Sequence, residues 1–365
     1  MEQLLRRMEL FDSDGAWELV RDEMAKEGRA WEIHQSLFPL VQRVTNPPFI
    51  NPHLPKMHGV IREFFPYLAV GDLPALVRLE INEYTRRPKS ALMAKPPHHP
   101  RSVSFSEIET AFREEERERG ATLMQAFLEQ QGKEELARRL LLLGSGYLVS
   151  SLGHSVSCTA FILLEMIERR DQDPWPTLGT LAEYFCSGHF HTTPELRTTS
   201  AISQSAAFDR HLLRATSGYG VVNLHQTITL YTIERVRHLL SKKEFAHLIA
   251  CWIDFLGSKE AVPPADTPTV ALTDYASFYQ SFSKREVQPV LSALAGLIPS
   301  SEGRLQLGRY LIKGICDQYQ GNYDPHFLTG LGSALWVVDR YRDRPSIATN
   351  ALHQYLNYFF ARKDL

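Results

Sequence analysis

The chain of 365 residues has few cysteines, almost no net charge and no long apolar run. Its four cysteines are far apart and form no C-x-x-C pair, so the sequence indicates neither a zinc knuckle nor a redox dithiol. A formal net charge of -2 gives no electrostatic reason to expect a nucleic acid or a membrane as partner. No segment has the roughly 18 to 20 uncharged apolar residues of a membrane span, and the N-terminus does not resemble a secretory signal. We therefore expect a cytoplasmic protein with reduced thiols.

Motifs of several enzyme classes are also missing. Without a Gly-x-Gly-x-x-Gly loop, a nicotinamide or flavin would have to bind outside the usual Rossmann arrangement. Ser155 is not framed by a Gly-x-Ser-x-Gly elbow, which disfavours hydrolase chemistry there. The glycines around Tyr219 precede no Walker lysine, so a phosphate loop is not indicated.

Helical periodicity, in contrast, runs through most of the sequence. Apolar residues recur three and four positions apart in many segments, and alternating strand patterns are hard to find. We predict an all-α fold, with a single large multi-helix domain over 1–365 and a central ligand or metal cavity. Clustered prolines between positions 47 and 55 separate an expected N-terminal helical pair over 1–46 from a main helical body over 54–365.

Four histidines each stand at the head of an apolar, helix-patterned segment: His58, His154, His225 and His326. A single histidine on an apolar helix face is most often a core residue that donates to a backbone carbonyl. Four with similar placement favour a metal site, because imidazole is a common ligand and helical proteins build such sites from inward-facing side chains. The spacing alone does not establish that the rings converge. The residues behind His326 are small, which indicates room for a ligand: Thr329, Gly330, Ser333 and Ala334.

A second group of candidate metal ligands lies at Cys186, His189 and His191. In an extended segment, alternate residues share one side, so both imidazoles could face one ion. Two neighbouring ligands still need distant partners to complete a closed site. A loop that lines the cavity entrance is the preferred interpretation of this segment.

The order and context of the four histidine segments resemble the questin oxidase family, oxygenases associated with the opening of an anthraquinone ring. The resemblance covers nearly the whole chain through short motifs: Met57-His58-Gly59 with the helix over 76–87, Gly153-His154 with Leu163-Leu164-Glu165, Leu224-His225, and Asp324-Pro325-His326. The chain differs from the family at two positions. Thr329 stands where the family commonly has a lysine, and Cys158 replaces a second histidine of the central segment.

The resemblance implies an oxidoreductase that uses O₂ to oxygenate an aromatic or other hydrophobic small molecule. It implies non-haem iron held by His58, His154, His225 and His326, with NADPH as a candidate electron donor. Glu165 and Asp324 would act beside the ligands, since a metal-bound histidine usually donates its other N–H to a carboxylate. The bulky or small residues of the histidine helices would form the substrate cavity: Phe65, Phe161, Tyr231, Thr329 and Trp336.

Two alternatives belong to other functional classes. One is a non-catalytic helical binding or scaffold protein that kept the fold and lost the metal. The other is a carrier that holds a hydrophobic ligand in a similar cavity. Neither alternative requires bound metal, so metal content separates them from the enzyme.

Overall fold

The computed structural model describes residues 1–24, 26–96, 102–169, 172–197, 205–258, 260, 267–272, 274–321 and 323–362. Within these ranges the chain forms helices joined by turns and contains no β-strand, which confirms the predicted all-α class. The α-helices are α1 (Glu2–Glu9), α2 (Ser13–Glu18), α3 (Arg29–Val41), α4 (His53–Arg62), α5 (Leu73–Arg86), α6 (Phe105–Arg113), α7 (Arg117–Gln131), α8 (Lys133–Ser145), α9 (His154–Glu168), α10 (Trp175–Ser187), α11 (Ser205–Thr216), α12 (Val221–Arg235), α13 (Lys242–Leu256), α14 (Tyr275–Ser283), α15 (Val287–Ala295), α16 (Ser301–Gln318), α17 (His326–Arg340) and α18 (Pro345–Ala361).

The first 46 residues differ from the predicted helical pair, because they form the three helices α1, α2 and α3. Asp12 starts the additional helix: its side chain accepts a hydrogen bond of 2.8 Å from the N–H of Gly15, as an N-cap residue does. The main body begins with α4 at His53, directly after Pro52, where a proline readily precedes a helix.

Four helices from distant parts of the sequence form the centre of the molecule. α4 packs against α9, α9 against α12, α12 against α17, and α17 against α4, so the four form a closed ring. Small residues allow the close approach. A β-carbon at Gly59 would lie 2.8 Å from the Phe161 ring, and one at Gly330 would lie 2.8 Å from the Leu224 side chain.

The small residues of α17 were expected to leave room for a ligand, and this expectation is wrong. Leu224 of α12 and Val60 of α4 fill the space beside Gly330 and Gly332. These residues serve helix packing, because two helices approach closely where one of them has no side chain.

Two hydrophobic clusters surround the central helices. One contains the N-terminal helices and much of α14–α18, and the other contains α6–α10 and α13. α12 contributes Leu224 to the first and Leu230 to the second, and α17 likewise contributes Leu328 and Val337. Because the same helices belong to both clusters, the described residues form one domain. None of the described helices combines the length and the apolar character needed to cross a membrane.

Candidate metal centre

Four imidazoles converge where the central helices begin: the buried His53 of α4, His154 of α9 and His225 of α12, and the half-buried His326 of α17. Their candidate ligand atoms all lie within 4.8 Å of one another. The Nε2 atom of His154 is 2.8 Å from Nε2 of His53 and 2.8 Å from Nε2 of His225, and Nε2 of His326 is 3.1 Å from Nε2 of His225. We refer to these residues as the four-histidine site.

The rings lie at the corners of a distorted square. Neighbouring ring centroids are 4.6, 4.3, 4.7 and 5.0 Å apart in the order His53, His154, His225, His326 and back to His53. The diagonal from His154 to His326 is longer, at 6.1 Å. A tetrahedral set would make all separations similar, so the four centroids do not form a regular tetrahedron.

Backbone and side-chain acceptors fix the proton positions on three of the rings. Nδ1 of His154 lies 2.6 Å from the Ser151 carbonyl oxygen, and Nδ1 of His225 lies 2.6 Å from that of Val221. A carbonyl oxygen only accepts, so each Nδ1 carries the proton and donates. The Nε2 atoms of these neutral rings therefore carry lone pairs. These lone pairs face each other at hydrogen-bond distance, with no proton between them.

Burial keeps the site neutral. It lowers the pKa of His53, His154 and His225 well below the ordinary histidine value and also lowers the pKa of His326. Facing lone pairs repel unless a cation lies between them, and neutral imidazole nitrogen is a good ligand for transition metals. The four-histidine site could therefore hold a metal ion.

Asp324 completes the surroundings of His326, as the resemblance implies. Its Oδ1 accepts a hydrogen bond of 2.5 Å from His326 Nδ1, and its Oδ2 accepts one of 2.5 Å from the Tyr358 hydroxyl. Arg362 forms an ion pair of 3.1 Å with the same carboxylate. Although burial raises the pKa of Asp324, the hydrogen bond from His326 holds that pKa well below its usual range, so Asp324 is an anion.

His53 and Lys56 of α4 are the residues of this site that the sequence did not identify. His53 is the only one of the four rings whose Nδ1 has no hydrogen-bond partner among the described residues. Lys56, one turn further along α4, is completely buried, and its Nζ has no hydrogen-bond partner in the described part of the chain. Burial lowers its pKa, and its charge in turn adds to the lowering of the pKa of all four histidines.

A signal for His53 was present in the sequence. Asn51-Pro52-His53 repeats the pattern of Asp324-Pro325-His326, and in both segments the histidine is the first helical residue after a proline.

His58 does not join the other three predicted ligands. It follows His53 by five residues, which rotates it by about 140° around α4 at 3.6 residues per turn. His58 therefore faces α3 and α5, where its Nδ1 and that of His34 lie 3.1 and 2.9 Å from the Glu80 carboxylate. These three fully buried residues form the His34–His58–Glu80 cluster.

The His34–His58–Glu80 cluster could also hold an ion, but its geometry suits hydrogen bonding better. Its two rings are stacked, with centroids 4.1 Å apart and planes 20° apart, so their lone pairs run nearly parallel. The rings of the four-histidine site meet at 64° to 83°. Glu80 also accepts a hydrogen bond of 2.9 Å from the Tyr84 hydroxyl.

Glu165 lies at the other end of α9 from His154. Glu165 follows His154 by eleven positions, which corresponds to about 16 Å of helix. Its carboxylate is 2.9 Å from Arg169 and 3.4 Å from Arg62. The proposed place of Glu165 beside the metal ligands is therefore corrected: it belongs to a separate surface cavity of about 570 Å³.

The predicted substrate-cavity residues do not line the cavity beside the four-histidine site. Phe65 and Phe161 line the same separate cavity as Glu165. The Tyr231 hydroxyl donates a hydrogen bond of 2.6 Å to Glu63, and Trp336 packs near the Tyr231 ring. Thr329 is buried, and its hydroxyl donates to the Pro325 carbonyl within α17. Phe161, Tyr231 and Thr329 are buried on their helices, whereas Phe65 and Trp336 are half-buried.

A cavity of about 740 Å³ does adjoin the four-histidine site, and all four histidines contribute to its wall. Its apolar wall comes from loop residues and helix ends: Phe49, Ile50, Leu152, Phe190, Val221 and Pro325. Gly188 and Phe190 belong to the segment that was predicted to line a cavity entrance. His189 of that segment is exposed, and the potential metal-binding groups found in the described residues include neither His189 nor His191.

Comparisons with known proteins add no assignment: no family model, curated protein or solved structure matches the chain. The resemblance to the questin oxidases therefore rests on the short motifs given above.

Proposed function

We propose that the protein is a metal-dependent oxidoreductase of the questin oxidase type, which oxygenates an aromatic or other hydrophobic small molecule with O₂. The observation that carries the proposal is the convergence of four Nε2 atoms at the four-histidine site, three of them on rings whose proton is held at Nδ1. The resemblance supplies the reaction class, and the adjoining cavity of about 740 Å³ is large enough for a drug-sized ligand.

Imidazole nitrogen binds iron, copper, zinc and nickel alike, so the four ligands by themselves do not choose the metal. Iron is the choice that the resemblance favours among the metals that imidazole binds.

In this function the residues of the chain would hold the metal and orient the imidazole rings that bind it. His53, His154, His225 and His326 would bind the metal through Nε2, while Asp324 and two backbone carbonyls keep the rings in the required tautomer. Non-haem iron, when bound, supplies the electrons that activate O₂. The apolar cavity wall would place an electron-rich ring beside the site. NADPH is the candidate reductant, and it would bind without a Rossmann loop.

Metal analysis of untagged protein tests this proposal. We expect iron in the purified wild type and the loss of one equivalent in the double variant His225→Ala, His326→Ala. The exposed His238→Ala variant is the control and should keep the wild-type metal content. Oxygen consumption with aromatic compounds and NADPH should disappear with the metal. A folded, metal-free wild type would contradict the enzyme.

The hydrophobic-ligand carrier is the second candidate, and the apolar wall of the same cavity favours it. A carrier binds its ligand equally well in the wild type and in the metal-free double variant. Ligand binding without metal and without oxygen consumption would therefore support the carrier.

A further inference from the structure

Residues 46–51 connect α3 to α4 and form a wall between two cavities. The N–H of Phe49 donates to the Asn46 carbonyl oxygen over 2.9 Å, which closes a tight turn at the tip of the segment. Phe49 and Ile50 line both the 740 Å³ cavity of the four-histidine site and a neighbouring cavity of about 380 Å³. The segment ends at Pro52, immediately before His53.

The two apolar side chains of this wall are largely in water. Phe49 is 59% exposed and Ile50 is 52% exposed, although both stand beside a cavity that they could help to fill. Large apolar side chains that remain exposed around a cavity commonly mark a ligand-binding surface. An apolar ligand that covers them would remove this surface from water.

The wall is also close to the candidate metal ligands. The Phe49 ring meets the His53 ring edge-on, with centroids 6.3 Å apart and planes 83° apart. A flat ring that packs on Phe49 therefore lies beside the four-histidine site. An aromatic ligand fits this position best, because aromatic rings gain from stacked and edge-on contacts in addition to burial.

The charges around the cavity indicate the second property of the ligand. Three arginines line it, Arg86, Arg87 and Arg362. Arg86 and Arg87 pair with the buried Glu83 and Arg362 pairs with Asp324, so three cations meet two carboxylates and one positive charge is left over. The four-histidine site also lies within the first five residues of α4, α9, α12 and α17, where helix dipoles place partial positive charge. This side of the cavity therefore favours an anion.

We infer that Phe49 and Ile50 bind a planar aromatic anion, a phenolate or aryl carboxylate, and thereby select the substrate of the four-histidine site. The inference rests on the proposed function for the reaction only, because binding to this wall needs no turnover. Residues 46–51 would therefore determine substrate specificity, while the candidate metal ligands lie on helices.

Binding of 2-naphthoate, measured by calorimetry on the purified full chain, tests this inference. We expect Phe49→Ala to bind it roughly 10- to 50-fold more weakly, because the ligand no longer covers an aromatic side chain. Phe49→Tyr should stay near the wild-type affinity. Leu92→Ala is the matched control, since Leu92 is also 59% exposed but lines only the smaller cavity. The neutral 2-naphthamide should bind more weakly than 2-naphthoate.

Three results would overturn the inference: no binding of 2-naphthoate to the wild type, an unchanged affinity in Phe49→Ala, or an equal loss in Leu92→Ala. Metal content distinguishes this failure from failure of the proposed function. Phe49→Ala should keep the wild-type metal content, whereas the double histidine variant should lose metal and still bind 2-naphthoate.

Discussion

Replacement of Asp324 by asparagine should weaken metal binding without unfolding the protein. The aspartate accepts the Nδ1 proton of His326 at 2.5 Å and so keeps the Nε2 lone pair directed at the four-histidine site. Asparagine retains one acceptor oxygen but loses the negative charge, and charge-assisted hydrogen bonds are roughly twice as strong as neutral ones. It also places an amide NH₂ or a neutral oxygen where the Tyr358 hydroxyl now donates to a carboxylate.

The expected loss is about 10- to 100-fold in metal affinity, the usual effect of removing a carboxylate behind a ligating histidine. This corresponds to about 1.4 to 2.7 kcal/mol of binding free energy. Competition against a chelator of known affinity measures the loss. Thermal unfolding in excess chelator separates it from an effect on the fold, since both proteins are then metal-free.

Asp317→Asn is the control variant for this experiment. Asp317 also binds a tyrosine hydroxyl and a cation, accepting from Tyr275 at 2.7 Å and pairing with Lys313 at 2.9 Å, but it does not line the four-histidine cavity. Unchanged metal affinity in Asp324→Asn would refute the role of the carboxylate. An equal loss in Asp317→Asn would show that the effect is not specific to the site.

Further predictions concern stability. Burial lowers the pKa of the four histidines in the folded, metal-free chain, so below about pH 6.5 the unfolded chain binds more protons than the folded chain. Chemical denaturation in excess chelator should therefore show the full free energy of unfolding above that pH and a declining one below it. The decline should be less steep in the double histidine variant. Glu80→Gln should lower the free energy of unfolding by about 2 to 4 kcal/mol and leave one metal bound, because it disturbs the hydrogen bonds of a buried cluster; metal loss would contradict its separation from the four-histidine site. Lys56→Met should raise the melting temperature, since a buried amine without a partner is costly, and a lower melting temperature would argue for an interaction of Nζ. Gly330→Ala should lower the free energy of unfolding by about 1 to 3 kcal/mol, because the new methyl group displaces Leu224. An unchanged free energy of unfolding would show that α12 moves freely.

Two buried carboxylates of α5, Glu80 and Glu83, have different partners, so replacing Glu80 tests the histidine cluster and replacing Glu83 does not. Glu83 is neutralised by Arg86 and Arg87, at 3.3 and 2.9 Å. Among the described residues, Glu80 accepts hydrogen bonds only from histidine and tyrosine, and although burial raises its pKa, the nearby His34 lowers that pKa to about 2. Glu83→Gln removes the anion that pairs with Arg86 and Arg87 but leaves the hydrogen bonds of His58 in place, which makes it the control for effects that pass through His58.

Local sequence patterns determined the helical class and much of the candidate site. A helix depends on contacts between residues three and four apart, so the segments that begin near 154, 225 and 326 were recognisable from periodicity alone. The pairing of Asp324 with His326 was likewise local, since only one residue separates them. His154, His225 and His326 all stand near helix starts in the sequence, and the structure brings these three together.

Tertiary structure decided which histidine of α4 joins them and where the cavity lies. His53 and His58 share one helix, but the 3.6-residue turn directs the first towards α9, α12 and α17 and the second towards α3 and α5. The apolar helix faces behind the histidines form part of the core, because neighbouring helices pack on them. The cavity wall consists instead of loop residues such as Phe49. Periodicity gives the faces of one helix at a time; the crossing of four helices, which no local pattern specifies, decides which faces meet.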